Sequence, residues 1–420
     1  MRKMRDSGID WIGTIPQDWQ LSKIGSLYTQ RNEKVSDKDY QPLSVTMQGI
    51  LPQLATAAKT DDGDNRKLVR VGDFAINSRS DRRGSCGISP LDGSVSLINI
   101  ILTPRTAMHP GYYNWLFHTT LFADEFYKWG HGIVADLWTT RWQEMKSITV
   151  PVPEYAEQER IAAFLDAECA EIDAVLEKTR ASIEEYKKLK QAIITQAVTK
   201  GIRGDRPMKN SGIEWIGDIP AEWDVVRQKY FWNTVESGVS VNAADKPVDN
   251  SEQYGVLKTS AVSKFVFIPT EHKQVNLEEY GRVSCPVRAN SIIASRMNTP
   301  ELVGACGYVQ NNYPNLFLPD RLWQITFKDG LSPKYAWYYL SGIRVRQYIS
   351  SLSTGTSSSM QNISQSQYGN IFITIPSIGE QSEITKYFDE KCRSVDALVT
   401  KKQQYLTEIE NYKKSLIYEY

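Results

Sequence analysis

The sequence predicts an α+β fold written twice: two similar globules joined by two long antiparallel coiled-coil helices, in a pseudo-twofold internal duplication. Three observations carry this reading. "DSGIDWIGTIPQDW" from Asp6 returns as "NSGIEWIGDIPAEW" from Asn210, with nine of fourteen letters identical and both tryptophan pairs in register. "VPVPEYAEQERIAAFLDAECAEIDAVLEK" from Val150 returns as "ITIPSIGEQSEITKYFDEKCRSVDALVTK" from Ile373. The first of these opens a run from about Glu154 to Thr199 without Gly or Pro.

The elements follow in order. The opening phrase starts each globule, and its tryptophans (Trp11 and Trp19; Trp215 and Trp223) suit packing against a helix end, with partner contact or base stacking as alternatives. Short alternating or apolar runs then read as strands between Gly, Pro, Asn and Asp turns: "VRVGDFAINSR" and "SVSLINIILTP" in the first half, "NSIIASR", "LWQITF" and "IFITIP" in the second. One helical stretch interrupts each set, near "PGYYNWLFHTTLFADEFYKW" and "SPKYAWYYLSGIRVRQYISS". "INSRSDRRGSCGI" from Ile76 resembles "IASRMNTPELVGACGY" from Ile293. It aligns Ser78-Arg79 with Ser295-Arg296 and Cys86 with Cys306, three residues being inserted between.

Each half closes on a heptad pattern. Leu165, Ile172, Thr179, Tyr186 and Ile193 alternate with Cys169, Leu176, Ile183, Lys190 and Ala197, which is a coiled-coil seam. Phe388, Val395, Lys402, Ile409 and Leu416, with Cys392, Val399 and Leu406, repeat it. Ser377 and Glu380 form a capping box for the second helix, and Gly201 and Gly204 stop the first. At ~1.5 Å per residue each helix is about 60 Å long. Matching Tyr186-Lys187-Lys188 to Tyr412-Lys413-Lys414 implies that the second helix has gained three residues.

Composition bounds the function. Lys plus Arg and Asp plus Glu both number 49, so the chain is not the strongly basic type that grips phosphates unaided. From Glu154 to Lys190 ten side chains are acidic and six basic, which leaves the remainder slightly positive. Five cysteines without a CxxC pair suit small buried thiols, and with no secretory or membrane-spanning stretch they point to the cytoplasm. There is no phosphate loop, no dinucleotide fingerprint, no HExxH and no doubled proline of a methyltransferase signature. The reading is a non-catalytic binding protein.

The doubled Trp-rich phrase, the Glu157-Gln158 and Glu380-Gln381 helix entries, and "LPDRLWQITF" followed by "STGTSSSMQNISQSQYGNIFITIP" resemble the DNA-specificity subunits of type I restriction-modification systems. The resemblance implies a first target recognition domain over 1–153, a central long helix over 154–200, a linker over 201–207, a second target recognition domain over 208–376 and a C-terminal helix over 377–420. It further implies that each domain reads half of a bipartite double-stranded DNA site. The helices would space the domains and dock two modification (methyltransferase) subunits, which restriction (motor/endonuclease) subunits join. The chain itself would carry no cofactor or metal, S-adenosylmethionine being expected in the modification subunit. The alternative is a coiled-coil adaptor whose globules bind proteins.

The candidate DNA-binding residues are Asn77, Ser78, Arg79, Arg82, Arg83, Thr139, Thr140, Arg141, Ser295, Arg296, Asn298, Thr354, Thr356, Ser357, Gln361 and Asn362. Arg suits guanine and Asn adenine, although such a cluster also suits a solvated loop. The repeated Ser-Arg pairs suit a shared phosphate contact, and the loop tips beyond them suit base reading. The first half ends "GHGIVADLWTTRWQEMKSITVPVP" and lacks the polar run of the second, as different half-sites require. Leu165, Ile172, Leu176, Ile183, Tyr186, Phe388, Val395, Val399, Leu406 and Ile409 are the candidate helix-pairing or partner residues.

Overall fold

The computed structural model describes residues 2–53, 63–79, 82–132, 138–250, 252–357 and 360–420. They form two compact units, Met1–Arg180 with Gln404–Tyr420, and Ala181–Gln403. The fold is α+β.

In the first unit, β1 (Tyr28–Arg31), β2 (Phe74–Asn77), β3 (Cys86–Ile88) and β4 (Asn99–Pro104) form an antiparallel sheet ordered β3-β2-β4-β1. Alternation along the strands sends Phe74, Ile76, Ile100 and Leu102 to one face. There they meet α1 (Pro110–His118), α2 (Thr120–Lys128) and the first turns of the long helix α3 (Tyr155–Lys200). Ala75 and Ile101 face the opposite layer, against Leu43, Ile50, Val69 and Val95.

The second unit repeats this plan. Its strands β5 (Trp232–Ser237), β6 (Ser291–Ser295), β7 (Cys306–Val309) and β8 (Leu322–Phe327) are ordered β7-β6-β8-β5, and α4 (Pro333–Ser341) and α5 (Ile343–Leu352) cover one face. The second long helix, α6 (Ile378–Glu419), adds Ile384 and Phe388 to that core.

Strand pairing corrects the alignment of the two Ser-Arg pairs. Ile76 pairs with Cys86, but Ala294, not Ile293, pairs with Cys306. Ser78 N donates to Ile98 O while Arg296 N donates to Arg321 O; Thr140 N donates to Ser78 O while Ile363 N donates to Arg296 O. Ser78 therefore occupies the place of Arg296, and Arg79 that of Met297. A one-residue slip exchanges the faces of a strand, so burial on both sides decides the register against the matching letters. Ten positions separate Ile76 from Cys86 and twelve separate Ala294 from Cys306, an insertion of two residues rather than three.

The repeated phrases meet in one anchor per unit. In the second, fully buried Trp223 donates through Nε1 to Glu380 Oε2 at 2.9 Å. Arg206 donates to Glu380 at 2.6 Å and Glu222 at 3.0 Å, with its guanidinium 5.1 Å over the Trp223 ring. In the first, Arg2 donates to Asp18 at 2.6 Å and Glu157 at 2.9 Å and lies 5.9 Å over Trp19. Glu380 N donates to Ser377 Oγ at 3.3 Å, but the Glu380 carboxylate turns to Trp223 and Arg206, so the Glu half of the expected capping box is diverted.

The adjoining glutamines fasten each long helix to the start of a short one. Gln158 accepts from His109 N (3.0 Å) and donates to Pro153 O (2.8 Å). Gln381 accepts from Ser332 N (2.8 Å) and donates to Pro376 O and Gly330 O (both 2.9 Å). His109 and Ser332 are the N-caps of α1 and α4, each followed by a proline suited to the first helical position.

Within each unit the long helices pair antiparallel. Leu165, Leu176, Ile183, Phe388 and Val395 are buried along the seam, and Ile172, Tyr186, Val399, Leu406 and Ile409 are half-buried. Lys413 reaches Asp173 (2.7 Å) and Arg180 meets Glu410 (2.7 Å) in the first unit; Lys190 reaches Asp396 (2.6 Å) in the second. Asp173 and Asp396 are equivalent, so Lys190 corresponds to Lys413. The second helix has therefore gained no three residues; the matching Tyr-Lys-Lys letters are a chance slip. Near its end α3 also buries Ile194 more deeply than Ile193, since a straight 3.6-residue helix drifts against a 3.5 repeat.

Candidate nucleic-acid interface

The candidate residues collect at one edge of each unit. In the second, Met297–Asn298 continues beyond β6 and pairs with Met360–Asn362, which also pairs with Thr354–Ser357. The first unit has the same pattern reduced to single bridges: Arg79 to Thr139, and Thr139 to His131. Each edge runs into a short helix whose N-cap amide is held from the third position. Glu144 accepts from Arg141 N at 3.0 Å, and Gln367 from Ser364 N at 2.9 Å.

Burial divides the candidates. Asn77, Ser78, Thr140 and Ser295 are buried and shape the backbone. Asn77 Oδ1 accepts from Arg79 N (3.0 Å), Ser78 Oγ donates to Ile98 O (2.6 Å), Thr140 Oγ1 to Phe126 O (2.9 Å) and Ser295 Oγ to Met297 O (3.2 Å). Arg79, Arg82, Arg83, Arg141 and Thr354 are exposed, while Thr139, Arg296, Asn298, Gln361 and Asn362 are half-buried. The side chains of Thr356 and Ser357, and the loop tip at 80–81, lie outside the described residues.

Neighbours that carried no sequence signal hold these edges. Tyr127 donates to Arg79 O at 2.8 Å, and its ring lies 5.8 Å from the Arg83 guanidinium, which pairs with Asp124. Asn298 Oδ1 caps Thr299 N at 2.9 Å. Among the described residues, buried Arg296 Nε and Asn362 Oδ1 meet no hydrogen-bond partner. Unpaired polar atoms are rare in a folded interior, and two of them fall at one proposed edge. Elsewhere burial pushes the thiols of Cys86 to about 12 and of Cys306 and Cys392 to about 11, as suits packed rather than reactive cysteines. No described helix is long and apolar enough to cross a membrane.

Comparison with known proteins supplies the class. Residues 220–410 match the family described as the type I restriction modification DNA specificity domain. More particularly, over nearly its whole length the chain is similar to the specificity subunits of type I restriction-modification systems. It is 23% identical over 429 residues to the type I restriction enzyme MjaVIII specificity subunit of Methanocaldococcus jannaschii, covering 96% of this chain and 92% of that protein. A shorter match, 23% over 187 residues to the EcoEI specificity subunit of Escherichia coli, covers 44% of this chain and 32% of that protein. In fold the chain is similar, with a TM-score of 0.70 and 16% identity, to a chain from a solved structure described by the "complex assembly and conformational transition of the type I R-M system". That likeness covers 96% of this chain and 97% of the other.

Proposed function

We propose that each unit reads one half of a bipartite double-stranded DNA site with its own edge. The first uses Arg79, Arg82, Arg83, Thr139 and Arg141; the second uses Arg296, Asn298, Thr354, Thr356, Ser357, Gln361 and Asn362. The buried candidates Asn77, Ser78, Thr140 and Ser295 hold these edges in shape. The observation that carries this reading is one sheet order serving two dissimilar edges. In this reading the chain has no catalysis or cofactor of its own and assembles in the cytoplasm with two modification subunits, which hold S-adenosylmethionine, and with restriction subunits. The long helices set the interval between half-sites. Because the seam residues are occupied within the chain, docking falls to the outward faces, where Val175, Leu189, Leu398, Tyr405 and Tyr412 are exposed.

The test exchanges residues 20–150 for those of a relative and maps methylated DNA in cells that also make the modification subunit. One half of the methylated motif changes and the other stays. A change in both halves, or in neither, refutes the assignment of one unit to one half-site.

A further inference from the structure

The turn from Thr299 to Gly304 contains the two residues that the second unit has in excess of the first, and it joins the proposed reading strand Met297–Asn298 to β7. Beneath it lies Arg346 of α5, only 8% exposed. One nitrogen, Nη2, donates to both Glu301 O (3.0 Å) and Val303 O (2.6 Å). Tyr368 OH donates to the next carbonyl, Gly304 O, at 3.4 Å. Gly304 has φ +68, and an added Cβ there would stand 2.8 Å from Ile349 and 3.4 Å from Arg346 Nη1, so turn and support are closely fitted.

On its other side the guanidinium lies 5.0 Å over the Phe265 ring. Phe265 has φ 57, a left-handed conformation costly for an aromatic residue, and Trp337 Nε1 donates to its carbonyl at 2.7 Å. One buried cation thus joins an irregular loop to the turn behind the reading strand. Six residues after Arg346, α5 ends, and the second reading strand begins at Thr354. The first unit has Ala123 at the equivalent place on α2 and Met145 where the second has Tyr368, and there Tyr127 donates to Arg79 O, ahead of the shorter connection.

Ion pairing does not account for this choice. Among the described residues, Arg346 Nε and Nη1 meet no acceptor and no carboxylate is paired with the charge. What an apolar residue would not reproduce is the fixed position of two turn carbonyls, Glu301 O and Val303 O.

We propose that Arg346 is the positioning residue of the second unit's DNA-reading edge, setting where Asn298 and the turn behind it meet the bases of a double-stranded DNA half-site. The inference rests on the reading of this unit as a half-site reader. The test uses the full chain with its modification subunits and S-adenosylmethionine, methylating DNA libraries in which each half-site is randomised in turn. Wild type comes first: failure to discriminate at either half-site defeats the half-site reading and is thereby distinct from failure of Arg346.

With discrimination established, Arg346→Met lowers preference at the second unit's half-site about tenfold, the scale of one misplaced base contact. Preference at the other half-site stays within about twofold, on the usual independence of separated positions. Arg346→Lys, which keeps the charge and one donor group, restores part of the lost preference and serves as the primary variant if the methionine variant does not fold. Unchanged preference in the folded methionine variant, a lysine variant no better than it, or equal relaxation at both half-sites overturns the proposal.

Discussion

Just past the end of β2 the first unit presents Arg79, an exposed cation; the same ladder position past β6 is Met297, half-buried and apolar. The sequence just beyond these points has diverged in length and chemistry. The supports away from the edge have not: Arg2, Trp19, Glu157 and Gln158 recur as Arg206, Trp223, Glu380 and Gln381, the arginines and glutamines with the same partners in kind. The difference teaches where the fold tolerates change. A group that closes buried hydrogen bonds to backbone is costly to replace, whereas a side chain at a solvent edge is constrained by whatever it reads.

The largest test of this comparison concerns the tryptophans. Trp223 is fully buried, so Trp223→Ala costs about 3–5 kcal/mol by denaturant unfolding of the second unit. Trp19 is half-exposed, and Trp19→Ala costs roughly 1–3 kcal/mol in the first. Equal losses would show that the two anchors are closer in packing than their exposure indicates.

Next come the glutamines, where the units are expected to agree. Gln158→Leu and Gln381→Leu each strand the amide at an N-cap and a proline carbonyl, at about 1–3 kcal/mol per unit. Thermal unfolding of the two variants measures this. A clear inequality would break the claimed equivalence of His109 and Ser332.

The smallest effect sharpens the anchor of the first unit. The Arg2 hydrogen bond, ahead of all other causes, holds the Glu157 carboxyl below its ordinary value of 4.5. A depressed carboxyl stabilises the folded state above its unfolded pKa and loses that contribution as pH falls through the folded value. Glu157→Gln is therefore less stable than wild type at neutral pH by under about 1 kcal/mol, because Arg2 is largely solvated. The gap closes as pH falls below about 4.5. Melting temperatures across that range decide it; a gap independent of pH would mean that charge does not hold this contact.

How much was readable in advance depends on the length of chain over which a pattern is enforced. The duplication, the α+β class and both long helices were legible, because a heptad seam or a fourteen-letter phrase is constrained at many positions at once. Arg79, Arg82, Arg83 and Arg141 were legible as exposed polar candidates, but the burial of Asn77, Ser78, Thr140 and Ser295 was not. Their hydroxyls and amide serve backbone groups distant in sequence, such as Phe126 O for Thr140.

Register was decided only by the tertiary structure. "INSR" and "IASR" share three letters, yet the strands pair one residue out of that match, since each side chain must suit the layer it faces and a ladder is closed by its neighbours. The Tyr-Lys-Lys match failed similarly, and the ion pairs Asp173–Lys413 and Asp396–Lys190 correct it. Arg346 left no sequence trace at all: an arginine on a helix surface and one under a loop are the same letter. The sequence by itself determined which segments repeat and which face of each long helix is apolar, through periodicity; the register of short strands and the partners of single polar groups waited on long-range packing.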